Sequence, residues 1–269
     1  MEFQTAWITG ATSGIGLALA QRLMARGTKV YSVSRHPEKA PKHELFYSFQ
    51  LDLSDLSAVT SFLDRFSDEF DTPDLFVNNA GYGAFYEWQH FSHENILAQT
   101  NALFTSSALF CQAMAPRMAT IKHGIILNLT SLAVLYPLPY MPIYNAAKSA
   151  LSSLTHSLIL EYPDFPKFID FRMGDIRTDF NRSSLQQSSD SQKSKTQVAW
   201  AQIEKQLDES PSAEQAVGQI LNVLDSNKGG LFYGGGFFQR RIASLGDRLL
   251  PFKLKIKILP VGFILSLLK

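Results

Sequence analysis

Three observations predict an α/β fold built as a doubly wound parallel sheet. Short apolar strands alternate with helical segments along most of the chain, the first strand runs straight into a glycine-rich turn and a helix, and polar motifs recur just past strand ends. The elements follow in order. Phe3 to Thr9 reads as a strand, Gly14 to Arg26 as a helix and Lys29 to Ser34 as a second strand, a βαβ opening. Leu45 to Leu51 is the third strand, Leu56 to Phe66 a helix, Asp74 to Asn78 the fourth strand and Asn101 to Met118 the next helix. A strand at Gly124 to Leu129, a helix at Ile143 to Glu161, a strand at Phe168 to Met173 and a helix at Ser212 to Leu224 complete the alternation. Asn181 to Val198 interrupts it. Rich in Ser, Gln and Lys, that segment reads as a surface insertion expected to close over bound substrate.

Composition sets bounds. The chain has 269 residues, 45% hydrophobic and 18% charged, which suits one large α/β domain over residues 1–236 followed by a tail, 237–269. A net charge of +1 gives no reason to expect nucleic acid as a partner. The charge is unevenly spread: the tail holds seven Lys/Arg against Asp247, so it carries +6 and the remainder −5. Leu249 to Lys269 joins four lysines to many apolar residues, and its longest uncharged run, Ile258 to Leu268, is eleven residues. A bilayer-spanning helix needs about 20. Two readings stay open: a peripheral segment at an anionic membrane surface, or packing on its own domain or on a second subunit of a homo-oligomer. Cys111 is the only cysteine, so an intrachain disulfide is excluded, and its apolar surroundings mark it as packed rather than nucleophilic. The opening Met-Glu-Phe-Gln enters a strand at once, and no cleaved signal is expected. A cytoplasmic protein, with or without contact at the inner face of a membrane, is the expectation; no metal site is.

The chemistry is concentrated in a few residues. In Thr9-Gly-Ala-Thr-Ser-Gly-Ile-Gly16, Gly10, Gly14 and Gly16 would let phosphate oxygens approach backbone N–H groups at a helix N-terminus. Tyr144 and Lys148 stand four apart on one helical face, so the ammonium is expected to favour ionisation of a phenol that otherwise titrates near about 10. Such a phenol is a usable proton donor to a carbonyl that accepts a hydride. Ser131, thirteen residues before Tyr144, would donate to the same oxygen; alone it would read as a strand-end turn serine.

These motifs, with Asn78-Asn-Ala-Gly81 after the fourth strand and Asn101 in the next helix, resemble the short-chain dehydrogenase/reductase family from Thr9 to about Gly236. The resemblance implies a Rossmann-like single domain, with Tyr144 as proton donor, Ser131 on the substrate oxygen and Lys148 on both the tyrosine and the nicotinamide ribose. It implies that Asn101 holds a water linking Lys148 to solvent, although a helix N-cap is the plainer role. Gly10, Thr12, Ser13, Gly14, Ile15, Gly16, Arg35, Asp52, Leu53, Asn79, Ala80, Gly81, Ile176 and Thr178 would bind the dinucleotide. Asp52 has a second reading as a helix cap near Ser54. The second strand ends Ser34-Arg35, where NAD-preferring relatives carry Asp, so NADP(H) is expected, although Ser13 stands where many NADP-binding members carry a base. Met173 replaces a usual proline in Met173-Gly-Asp-Ile-Arg-Thr178.

Tyr82 to Phe91 and Leu132 to Met141 contain no Arg or Lys, and Phe85, Tyr86, Trp88, Leu135, Tyr136, Leu138 and Tyr140 are candidates to wall the pocket or to pack on neighbouring helices. An uncharged, apolar ketone or aldehyde, lipid-, steroid- or retinoid-like, is the expected substrate. A non-catalytic dinucleotide sensor on the same fold is the alternative; it has no need of the acid/base set. A sugar-nucleotide epimerase would need a different glycine spacing and a larger substrate domain.

Overall fold

Strands buried on both faces carry near-continuous apolar runs, and the sheet at the centre of this chain is built from them. The structure, a computed structural model, describes residues 2–178, 185–186 and 195–243. Its strands are β1 (Thr5–Thr9), β2 (Lys29–Ser34), β3 (Phe46–Gln50), β4 (Leu75–Asn78), β5 (Ala84–Phe85), β6 (Ile125–Ser131), β7 (Lys167–Met173), β8 (Leu185–Gln186) and β9 (Gly230–Tyr233). Seven of them form one sheet in the order β3-β2-β1-β4-β6-β7-β9, each neighbour parallel. Every residue of β4 is buried. The strand order reverses at β1, which pairs β2 on one side and β4 on the other, so a crevice opens at the carboxyl ends there.

Helices cover both faces. The helices are α1 (Gly14–Met24), α2 (Leu56–Glu69), α3 (His93–Thr100), α4 (Ser106–Thr120), α5 (Pro142–Glu161), α6 (Lys195–Asp208) and α7 (Ala213–Asp225). Leu19 and Leu23 of α1 and Val217, Ile220 and Leu224 of α7 pack with Ala6 and Ile8 on one face. Opposite, Phe62 and Phe66 of α2 and Phe110 and Met114 of α4 share a core with Trp7, whose indole stacks on Tyr31 at 4.9 Å and meets Phe66 edge-on. Cys111 lies in that core, its thiol pushed up to about 12 by burial, as expected of a packed cysteine.

Several boundaries differ from the sequence reading, and those nearest the cavity matter most. Helical structure before β6 begins at His93, not Asn101, because Ser92 caps α3 by accepting from the Asn95 N–H at 3.1 Å. Asn101 is therefore not an N-cap. It opens a π-helical turn, Asn101–Thr105, in which the Ser106 N–H bonds the Asn101 carbonyl five residues back. Within the segment read as a polar insertion, Leu185–Gln186 pairs in parallel with Ala84–Phe85, and α6 begins at Lys195. Most of the insertion, and all of 249–269, lie outside the described residues.

Candidate active site

The glycine turn leaves β1 and enters α1 at the crevice. Gly10 and Gly14 have φ of 72° and 54°, conformations that glycine adopts without the strain a side chain would bring. Gly16 has a different reason to be glycine: a Cβ there would lie 2.5 Å from the Gly10 carbonyl oxygen and 2.4 Å from Asn79 Nδ2. Asn79 braces the turn by donating from Nδ2 to the carbonyls of Thr9 (2.9 Å) and Gly10 (3.2 Å). Ser13, the N-cap residue of α1, makes no side-chain cap bond, so its hydroxyl does not close off the helix end.

A cavity of about 680 Å³ runs from this turn to the end of β6. Of the expected cofactor residues, Gly10, Thr12, Ser13, Gly14, Ile15, Arg35, Asp52, Leu53, Asn79, Ala80, Gly81, Ile176 and Thr178 line it; Gly16 packs beneath the turn. At its β2 end stand Ser34, Arg35, His36 and Lys39. The Ser34 hydroxyl is buried without a partner, and exposed Arg35 lies 5.7 Å over the Tyr82 ring. An open helix N-terminus beneath a glycine-rich turn, with an unpaired hydroxyl at the next strand end, fits a dinucleotide. Asp52 is not the cap of α2. It accepts from the N–H and hydroxyl of Ser54 at 2.9 and 2.8 Å, while Asp55 accepts from Ala58 N–H as the N-cap.

Ser131, Tyr144 and Lys148 meet at the other end of the cavity. Ser131 ends β6 and hydrogen-bonds Tyr144, which favours phenolate, but desolvation outweighs this and holds the phenol above its usual range; nearby Asp175 pushes it further. The expected lowering of the phenol by Lys148 is not found: the net shift is upward, and its causes do not include the lysine. Its buried Nζ donates to the Leu129 carbonyl at 2.7 Å and lies 5.9 Å from the Tyr144 ring centroid. Burial lowers the lysine to about 8, opposed by the charge of Asp170. Asp170 is fully buried and accepts from Thr130, from Ser152 at 2.7 Å and from Arg172 at 3.2 Å. Asn101 does not line the cavity: its Nδ2 donates to the Ser54 carbonyl at 3.1 Å, tying the π turn to the loop after β3.

Of the seven apolar residues considered for the pocket wall, Leu138 lines the cavity. Asn145 holds it by donating to the Leu138 carbonyl at 2.8 Å and accepting its N–H at 3.2 Å. Phe85 instead packs on Tyr140 and Trp200, forming with Met141 and Ala199 a small core beside Tyr144. The remaining apolar wall includes Met141, Trp200, Ile203 and Leu207. The last three come from α6. Their spacing along a helix was available in the sequence, but nothing local showed that the helix returns over the cavity. Asp175, also on the wall, had no assigned role, and its partner Gln239 lies 64 residues away: Gln239 Nε2 donates to Asp175 Oδ2 at 2.7 Å and Gln239 Oε1 accepts the Asp175 N–H at 3.1 Å.

A family model described as short chain dehydrogenase matches residues 4–188. The chain belongs to this oxidoreductase family. An uncharacterized oxidoreductase of Schizosaccharomyces pombe is 30% identical over 68% of this chain and 64% of its own length. The 3-ketodihydrosphingosine reductase of Bacteroides thetaiotaomicron is 31% identical over 67% of this chain and 66% of its own. The chain thus spans just under two thirds of the length of these two relatives. A short chain dehydrogenase/reductase from Burkholderia phymatum, solved in complex with NAD, superposes with a TM-score of 0.78 at 20% identity over 96% of each chain and shares the fold. Among the described residues no His/Cys/Asp/Glu cluster suits a metal ion, and no helix is long and apolar enough to cross a membrane.

Proposed function

We propose that this short-chain dehydrogenase/reductase uses NADP(H) to reduce an apolar ketone or aldehyde to the alcohol, with Tyr144 as proton donor. The observation that carries the reading is the cavity itself, which joins Ser131, Tyr144 and Lys148 at one end to the glycine turn and Arg35 at the other. When bound, the dinucleotide supplies a hydride to the carbonyl carbon. Ser131 donates a hydrogen bond to the carbonyl oxygen, where negative charge grows, and so stabilises the transition state more than the ground state. Tyr144 transfers its phenolic proton to that oxygen. Desolvation that keeps the phenol protonated loads the donor for this direction of reaction. Lys148 would hold the nicotinamide ribose, with the Leu129 carbonyl fixing its Nζ.

Arg35 and Lys39 at the end of β2 support NADP(H), since a 2′-phosphate would meet positive charge there and no acid replaces Ser34. Leu138, Met141, Trp200 and Ile203 support an apolar substrate. So does a relative whose name gives a keto compound, 3-ketodihydrosphingosine, as its substrate. The test is a panel of apolar carbonyls with NADPH and NADH, following loss of reduced-nicotinamide absorbance. Arg35→Asp is expected to move the NADPH:NADH efficiency ratio at least about tenfold towards NADH, since a charge-assisted phosphate contact is worth roughly 1.5–3 kcal/mol. An unmoved ratio would transfer the role to Lys39.

A further inference from the structure

The absence of Arg and Lys from the two loops over the cavity argues against an anionic substrate, yet it says nothing against a cationic one. Asp175 bears on that choice. It follows Gly174 at the end of β7, lines the cavity, and is near enough to Tyr144 for its charge to act on the phenol. Among the described residues no Lys, Arg or His forms an ion pair with it, and the basic residues of the cavity wall are engaged or distant in sequence and place. Lys148 Nζ is bound to Leu129, and Arg35, His36 and Lys39 belong to the β2 end.

The carboxylate is tethered by Gln239. One side-chain amide, that of Gln239, takes both the Asp175 N–H and Oδ2, and Gln239 Oε1 also accepts the Gly236 N–H at 3.3 Å. That amide is seated so closely that a Cβ on Gly174 would come within 2.3 Å of it, and one on Gly235 within 2.7 Å. Asp175 is exposed at the cavity, and the protein around its carboxyl raises the pKa. Among the described residues no cation neutralises this carboxylate, so a positively charged ligand group entering the cavity would meet its charge directly.

We propose that Asp175, tethered by Gln239, is a specificity-determining residue that selects apolar carbonyl substrates bearing an ammonium group beside the carbonyl, an α-amino ketone being the simplest. The inference rests on the carbonyl-reductase reading for its chemistry, and on the cavity alone for its charge selectivity. If Asp175 merely anchored Gln239, the neutral amide of Asn, which can also accept from Gln239 Nε2, would serve equally well.

The test compares a medium-chain 2-amino-3-ketone at pH 7 with the 3-ketone of equal length lacking the amine. In parallel, calorimetry compares binding of the matching 2-amino-alcohol and its amine-free alcohol in the presence of NADP+. In the wild-type protein the amine-bearing compound is expected to be favoured at least about tenfold in both kcat/KM and Kd, on the scale of a charge-assisted hydrogen bond. In Asp175→Asn the preference is expected to fall to about threefold or less, and Gln239→Ala, which leaves the charge but removes its tether, should lower it several-fold. A wild-type ratio near one, or a ratio retained in Asp175→Asn, overturns the proposal. Failure of every carbonyl to react would defeat the reductase reading instead, and the calorimetric ratio would still decide the role of Asp175.

Discussion

Two residues at the catalytic end of the cavity carry burdens of opposite sign, and each makes a prediction. Tyr144 is held protonated by desolvation, so its value lies in the proton it can give. Tyr144→Phe keeps the ring and loses that proton; turnover should fall by roughly a hundredfold or more, the usual range for a positioned general acid, while NADP+ affinity measured by calorimetry stays within about threefold. A variant retaining a tenth of wild-type turnover would remove Tyr144 from the mechanism. Lys148 is depressed on folding from 10.5 to about 8. Between those values the unfolded chain binds more protons than the folded one, so this lysine makes stability rise with pH. The unfolding free energy of wild type minus that of Lys148→Met should therefore increase by on the order of 2 kcal/mol between about pH 8 and pH 10, read by denaturant titration at both pH values. A flat difference would mean the ammonium is better solvated than its burial implies.

At the scale of elements, the turn between β1 and α1 and the turn after β7 meet across the nucleotide end, where a Cβ on Gly14 would lie 3.7 Å from Thr178. Gly16→Ala must move the Gly10 carbonyl or the Asn79 amide that braces it, so an overpacking cost of about 1–3 kcal/mol is expected. It should appear as a Tm lowered by several degrees together with weaker dinucleotide binding, whereas a change in binding alone would contradict the packing role. This turn was legible in the sequence because its requirements are local: strand, glycines and helix follow one another within a dozen residues. The same holds for Ser131, Tyr144 and Lys148, which sit on a strand end and the helix after it. Asn101 was harder. An extra residue in a helix leaves no pattern in side-chain periodicity, so its place in a π turn, bonded to Ser54, was not predictable. Trp200 and Ile203 were missed for another reason. Their position over the cavity depends on the return of α6 across Phe85, a long-range packing event that no local signal records.

For the whole molecule, a doubly wound parallel sheet with helices on both faces was legible in the alternation, whereas its strand order, the edge strand β9 and the closure of the C-terminal part onto the site were not. The charge asymmetry between residues 1–236 and the tail gave no hint of that closure. Gln239 bridges the end of β7 and the Gly234–Gly236 turn after β9, and it fills the space that a side chain at position 174 would need. Residues 174 and 239 are therefore not independent in their tolerance of change. Gly174→Ala alone should cost about 1–3 kcal/mol through overpacking, and Gln239→Ala alone should cost something through lost hydrogen bonds. In the double variant the small side chain at 239 vacates the space that the new methyl occupies, so the two costs should fail to add by about 1 kcal/mol or more. Denaturation of the four proteins in the cycle measures this directly, and strict additivity would show that the methyl clashes with the Gly234 carbonyl rather than with the amide. Substitution at 174 is therefore least costly after 239 has shortened, and that order of events first releases the carboxylate at 175.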